Sequence, residues 1–253
     1  MKLKHGDKGA LVVKLQQALQ EQGLLPRNTI KVKHDDGVFG QGTHNAVVAY
    51  QRIIGVAQTG IVGNYFAQKI GININPTKTI VLTAGHNSVK DFGAVSKDKK
   101  WTEAQIVTDL RNRVKVILES DGYTVITDGK GEENLILSKA VALIPTGEFA
   151  IELHLNAAES TQAHGIEALA KSGLKSKCQI LCESISNDMG YTIRGLEGGW
   201  KSTDSGQHSR LAYCEAGGII LELFFISNKE ELDSYINDPD KVSRAIATAI
   251  KKL

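Results

Sequence analysis

Two histidines, each closing an apolar run, are the residues of this 253-residue chain best placed to do chemistry. His86 ends Thr79-Ile80-Val81-Leu82-Thr83-Ala84-Gly85-His86, and His154 ends Phe149-Ala150-Ile151-Glu152-Leu153-His154. Both runs read as buried β-strands, and strand ends are where a rigid sheet hands polar side chains to an open crevice. Glu103 and Glu222 are the carboxylates on which they could close. Two imidazoles and a carboxylate make a donor set for Zn²⁺. Spacings of 17 residues from His86 to Glu103 and 51 from Glu103 to His154 are far from a compact H-E-x-x-H, so spacing alone leaves structural readings open. Either imidazole could be satisfied within a core, and Glu103 could simply favour a helix dipole.

The elements that must position these groups alternate. After the strand at 79–85, a helix from about Thr102 carries Ile106, Leu110, Val114 and Leu118 at intervals of four. A strand is expected at 123–127, a helix at 132–143, strands at 148–155 and 165–170, and a helix at 173–189. An apolar strand, 218–225, carries Glu222 and leads into a closing helix at 238–252. This predicts an α/β/α domain with a mostly parallel or mixed central sheet covered on both faces.

A smaller domain precedes it. Leu11, Leu15 and Leu19 mark a helix over 8–22, Thr43 is a candidate cap for a second helix with Ala46, Val47, Tyr50 and Ile54 buried, and 63–70 reads as a third. The Asn-, Gly- and Pro-containing stretch 71–78 predicts a break with a linker at 73–78, giving domains at 1–72 and 79–253. The net charge of +2 divides unevenly: residues 1–75 hold 9 Lys/Arg against 4 Asp/Glu, a net +5, and the remainder 21 against 24, a net −3. A basic small module suits an anionic surface, while no block of like charge is long enough to argue for nucleic acid. A hydrophobic content of 42% suits ordinary cores, and no run of about 20 apolar residues predicts stable membrane insertion. Cys178, Cys182 and Cys214 read as core thiols rather than a disulfide framework.

Gly6-Asp7-Lys8-Gly9, Val13, Leu15-Gln16, Leu19, Asp36-Gly37-Val38-Phe39-Gly40, Thr43, Ala46-Val47, Tyr50-Gln51 and Gly60-Ile61-Val62-Gly63 resemble the common peptidoglycan-binding domain of cell-wall hydrolases. Most of that pattern reports turns and helix packing, so the wall-binding groove is implied by the resemblance alone.

The second domain resembles the zinc-dependent N-acetylmuramoyl-L-alanine amidases, a family that includes bacterial cell-separation amidases and many phage endolysins. The resemblance rests on Ala84-Gly85-His86, Glu103, His154-Leu155-Asn156-Ala157 and Leu221-Glu222-Leu223-Phe224-Phe225-Ile226-Ser227-Asn228, with Gly122-Tyr123-Thr124-Val125 and Gly165-Ile166-Glu167 between them. It implies His86, Glu103 and His154 as Zn²⁺ ligands and Glu222 as the catalytic carboxylate. Such a site hydrolyses an amide with a metal-activated water whose proton the glutamate relays. Two positions depart from the family pattern: Asn87 follows the first histidine where glycine is usual, and Glu152 stands where a small residue is usual. Strand alternation puts Glu152 and His154 on one face, so Glu152 either orients the imidazole or makes a buried structural pair. His208 and Arg210 are candidates to contact a peptide carboxylate or are ordinary surface groups; His5, His34, His44 and His164 read as structural or exposed.

The expected activity is hydrolysis of the amide between N-acetylmuramic acid and L-alanine in peptidoglycan, lysing the wall. With no signal segment recognised at the N-terminus, the expectation is a monomeric phage endolysin made in the host cytoplasm and acting at the wall or in the periplasm. A zinc peptidase cutting within the stem peptide, and a non-catalytic wall-binding protein, are the alternatives.

Overall fold

The computed structural model describes residues 2–29, 32–74, 78–87 and 90–253. The chain divides into two compact units, residues 1–77 and 78–253. Of the stretch expected as a linker, 75–77 lie outside the described residues, whereas Ile74 is buried in the core of the first unit.

In the first unit, α1 (Ala10–Glu21), α2 (Gln41–Ile53) and α3 (Asn64–Ile70) enclose Leu15, Leu19, Phe39, Val47, Tyr50 and Phe66. Two buried glutamines hold the intervening turns. Gln16 donates to Asp36, the Val38 carbonyl and Thr43 and accepts from the Gly37 amide; Gln51 donates to Thr59 and the Ile61 carbonyl and accepts from the Gly60 amide. Each therefore satisfies a tight turn's backbone from a helix side chain, which buried polar groups require. Thr43 is not the cap expected of it: Gly40 takes that position, and the Thr43 hydroxyl is buried against Gln16.

The second unit runs β1 (Thr79–Ala84), α4 (Glu103–Ser120), β2 (Thr124–Ile126), α5 (Leu137–Leu143), β3 (Phe149–Asn156), β4 (Glu167–Ala170), α6 (Lys175–Met189), β5 (Trp200–Ser202), α7 (Ala212–Glu215), β6 (Ile219–Phe225), α8 (Lys229–Asn237) and α9 (Pro239–Lys251). Among the described residues the strands form one sheet in the order β2-β1-β3-β6-β4-β5. Neighbours are parallel except β4, which runs antiparallel to β6, so the sheet is mixed. One face carries Ile80, Leu82, Ile151, Leu153 and Leu221 into a core with Ile106 and Leu110 of α4, Leu181 of α6 and Ile246 of α9. The other carries Val81, Ala150, Leu169 and Ile220 against Ala140 of α5 and Tyr213 and Cys214 of α7. Strand alternation thus sorts the side chains into two layers of helix-covered core, and polar residues on the second face need another use.

Several boundaries differ from the sequence expectation. The helix anticipated over 132–143 begins only at Leu137, because the segment before it is occupied in hydrogen bonding: Leu135 donates to the Asp128 carbonyl and Asn134 to the carbonyls of Ala84 and His86. The closing helix is preceded by a separate one, α8; Asp238 ends α8 and caps α9 through the Lys241 amide, with Pro239 at the first position of α9. No helix among the described residues is long and apolar enough to cross a membrane.

Candidate metal and catalytic site

Three elements deliver the cluster. His86 lies two residues beyond β1 with φ 65°, a left-handed conformation that a non-glycine residue adopts only where its surroundings hold it. Those surroundings are explicit. Asn134 grips the carbonyls of Ala84 and His86, while Asp128 accepts from the Ala84 amide and is paired with Arg111 at 2.9 Å, both fully buried. Glu103 is the first residue of α4, whose N-cap Thr102 forms a reciprocal capping box with Gln105. His154 sits near the end of β3, directly opposite Glu222 of β6.

The donor atoms of His86, Glu103 and His154 lie within 4.8 Å of one another. Glu103 spans the two rings: its Oε1 is 2.9 Å from His154 Nδ1 and its Oε2 3.2 Å from His86 Nε2, and the two oxygens accept from the Leu155 and Ala94 amides. Burial would raise the Glu103 pKa, but the imidazoles of His154 and His86 outweigh it and hold the carboxyl far below its usual range. Glu103 in turn raises His86, helped by Asp91. Burial opposes charge on His154, yet Glu103 and Glu152 together hold its pKa well above that of a free imidazole. His86 Nδ1 lies 2.9 Å from Asp91, but out of line for a hydrogen bond, so the short contact is one of charge rather than of a directed N–H.

Space is reserved around this cluster. A Cβ on Gly85 would stand 2.2 Å from the His154 ring, and one on Gly93, at φ +66°, 2.6 Å from both Glu103 Oε2 and the His86 ring. Two imidazoles and an ionised carboxylate converging where only glycines fit are a donor set suited to zinc. The residues present fit the ion.

Glu222 completes the row. Burial pushes its carboxyl up to about 7, and among the described residues its Oε2 has no hydrogen-bond partner. A cavity of about 170 Å³ opens beside the cluster, lined by His86, Asn87, Asp91, Glu152 and His154 with Leu135, Leu137, Leu211 and Tyr213. Glu152, buried, places Oε2 3.2 Å from His154 Nε2, the ring nitrogen turned away from Glu103. Asn87 exchanges backbone hydrogen bonds with Asp91, and its side-chain oxygen accepts from the Lys90 amide. His208 and Arg210 are not brought to the cavity, whose wall there is Leu211. Sequence reasoning passed over Asp91, Asn134, Arg111 and Asp128. An arginine on the apolar face of a helix, four residues after Val107, was the available signal for the last pair.

Comparison with known proteins bears on family and fold. The family profile described as N-acetylmuramoyl-L-alanine amidase matches residues 80–252, and that of a peptidoglycan binding domain matches residues 8–70. A solved structure described as an N-acetylmuramoyl-L-alanine amidase from Neisseria meningitidis is 46% identical over 68% of this chain and 93% of its own, with a TM-score of 0.63. The catalytic domain of the amidase CwlV from Bacillus (Paenibacillus) polymyxa is 22% identical over 70% and 97%, with a TM-score of 0.60. The amidase AmiC2 of Nostoc punctiforme is 18% identical over 70% and 97%, also at 0.60. These last two share the fold. No curated protein matches the chain.

Proposed function

Since the chain belongs to the N-acetylmuramoyl-L-alanine amidase family, we propose that His86, Glu103 and His154 hold a zinc ion and that Glu222 moves the proton in hydrolysis of the muramoyl–L-alanine amide. The observation carrying this is the convergence of the three donor sets within 4.8 Å, with Glu222 opposite His154 on the next strand. When bound, zinc supplies Lewis acidity, which lowers the pKa of water and polarises a carbonyl. The chain's own residues do the rest. Glu222, with Oε2 unpartnered, can accept the proton of the attacking water and return it to the nitrogen of L-alanine as the C–N bond breaks. Glu152 holds the far nitrogen of His154 and so fixes which ring nitrogen faces the cluster. Leu135, Leu137 and Leu211 give the cavity an apolar wall.

The helical unit, at 1–72, is proposed to hold the enzyme on the wall, and the whole chain to act as a lytic endolysin. Digestion of purified sacculi tests the chemistry: new L-alanine amines without new reducing sugars are expected, new reducing ends would reject an amidase, and amines of another residue would indicate a stem-peptide peptidase. Glu222→Gln is expected to abolish turnover while retaining one equivalent of zinc, and His86→Ala and His154→Ala to lose that equivalent. A chain lacking residues 1–72 is expected to cleave soluble muropeptides but to sediment poorly with sacculi. Expression beside a holin tests the lytic role, with clearing of the culture expected.

A further inference from the structure

Beyond Glu222 the same sheet face carries a charged cluster for which the proton-transfer chemistry has no use. Glu167 of β4 is the direct cross-strand partner of Glu222, which itself stands opposite His154, so His154, Glu222 and Glu167 form a row across three strands. Glu167 is buried and accepts from Arg194 Nε at 2.8 Å, Lys201 Nζ at 2.8 Å and Asn156 Nδ2 at 2.7 Å. Two cations around one carboxylate leave the cluster with a net charge of +1. Both are about a third exposed at the side chain, 34% for Arg194 and 37% for Lys201, so both can reach a ligand.

Arg194 is fixed rather than trailing in solvent. Its Nη1 donates to the His164 carbonyl, its guanidinium lies 4.6 Å over the Phe225 ring, and its backbone amide donates to the Ile166 carbonyl at 3.0 Å. Gly165 makes that approach possible: at φ +105° it lets Thr192 and the Arg194 stem pack where a Cβ would stand 2.3 Å from the Thr192 carbonyl oxygen and 3.0 Å from Arg194 Cγ. Among the described residues Nη2 has no protein acceptor. A guanidinium held through Nε and Nη1 still has the Nη2 donors to offer from a fixed position, which preorganises it for a carboxylate oxygen.

We infer that Arg194 and Lys201 anchor a carboxylate of the stem peptide on the L-alanine side of the scissile amide. This rests on the proposed placement of that amide at Glu222. The chemistry of the polymer sets the direction: the lactyl carboxyl of muramic acid is consumed in the amide, so the sugar side offers no anion there, whereas the peptide carries a carboxylate on the residue after L-alanine unless it is amidated. The scale fits. From His154 to Glu167 is two strand spacings, roughly 9–10 Å, and two extended residues span about 7 Å before side-chain reach is added.

The test uses the full-length zinc-loaded enzyme and two soluble muropeptides that differ only in whether the second stem residue carries a free carboxylate or a carboxamide. Wild type is expected to favour the carboxylate in kcat/KM, by about tenfold for one charge-assisted contact. Arg194→Gln is expected to lose that preference, and Arg194→Lys to recover part of it. Glu167→Gln leaves both cations without their internal carboxylate and is expected to increase it. A cluster with only a structural role would lower activity on both substrates alike in every variant. Equal wild-type rates on the two substrates, or a preference unchanged in Arg194→Gln, would overturn the anchor while leaving the amidase site intact. Absence of L-alanine amine from both substrates would overturn the placement at Glu222 and the anchor with it.

Discussion

His154 is gripped at both ring nitrogens, Nδ1 by Glu103 and Nε2 by Glu152, so its orientation is fixed by two carboxylates from different elements. Metal-ligating histidines commonly give their second N–H to a carboxylate, and removing such a partner weakens the metal about 10–100-fold. Glu152→Gln is expected to lower zinc affinity by about that factor in a chelator competition; an unchanged affinity would mark Glu152 as a purely structural pair. Glu167 makes a different prediction. Burial raises its pKa, but Lys201, Arg194 and Asn156 outweigh that and depress it below the usual 4.5. A depressed folded-state pKa contributes stability that is present above the unfolded value and lost as pH falls through the folded one. Urea denaturation should therefore show the wild type losing more stability than Glu167→Gln below about pH 4.5, and parallel losses would contradict this.

At the scale of elements, the N-terminus of α4 joins helix stability to the site, because Glu103 is its first residue and Thr102 its cap. Losing a cap of this kind costs about 1 kcal/mol. Thr102→Ala is expected to show that cost in the urea midpoint, with a fall in zinc affinity as the first turn frays; a stability loss with affinity unaltered would separate the two. The end of β1 is built differently. There no helix dipole or cap helps, and the left-handed His86 depends on Asn134 holding the carbonyls of Ala84 and His86 while the Arg111–Asp128 pair supports the Ala84 amide. The helix expected to start at 132 starts at Leu137, which leaves Asn134 in the segment that makes this grip.

For the whole molecule, the cysteines report on folding. Cys178 and Cys182 lie in the core between the sheet and α6, Cys214 lies beneath the opposite face, and all three are free and buried. Burial pushes Cys178 up to about 12 and Cys214 up to about 11, and raises Cys182 as well. Thiolate chemistry should therefore be suppressed in the native state. A thiol reagent at pH 8 is expected to label none of the three in native protein and all three in denaturant; rapid native labelling would show that the catalytic unit opens.

The alternation of apolar runs gave the layered α/β/α order of the catalytic unit, because buried strands and amphipathic helices each write their period into the chain. His86, His154 and Glu222 were visible for the same reason, being polar residues that end or interrupt such runs. Two short elements were not: β5, Trp200-Lys201-Ser202, has no apolar alternation to mark it, and α7, with four residues, is too short to repeat a helical spacing. Neither was the row His154, Glu222, Glu167, since cross-strand neighbours come from segments far apart in sequence and their register exists only once the sheet has formed. Residue type and period are local and survive in the sequence. Which carboxylate meets which imidazole, and which cations gather beyond them, was decided by strand order and by glycines that let distant segments approach.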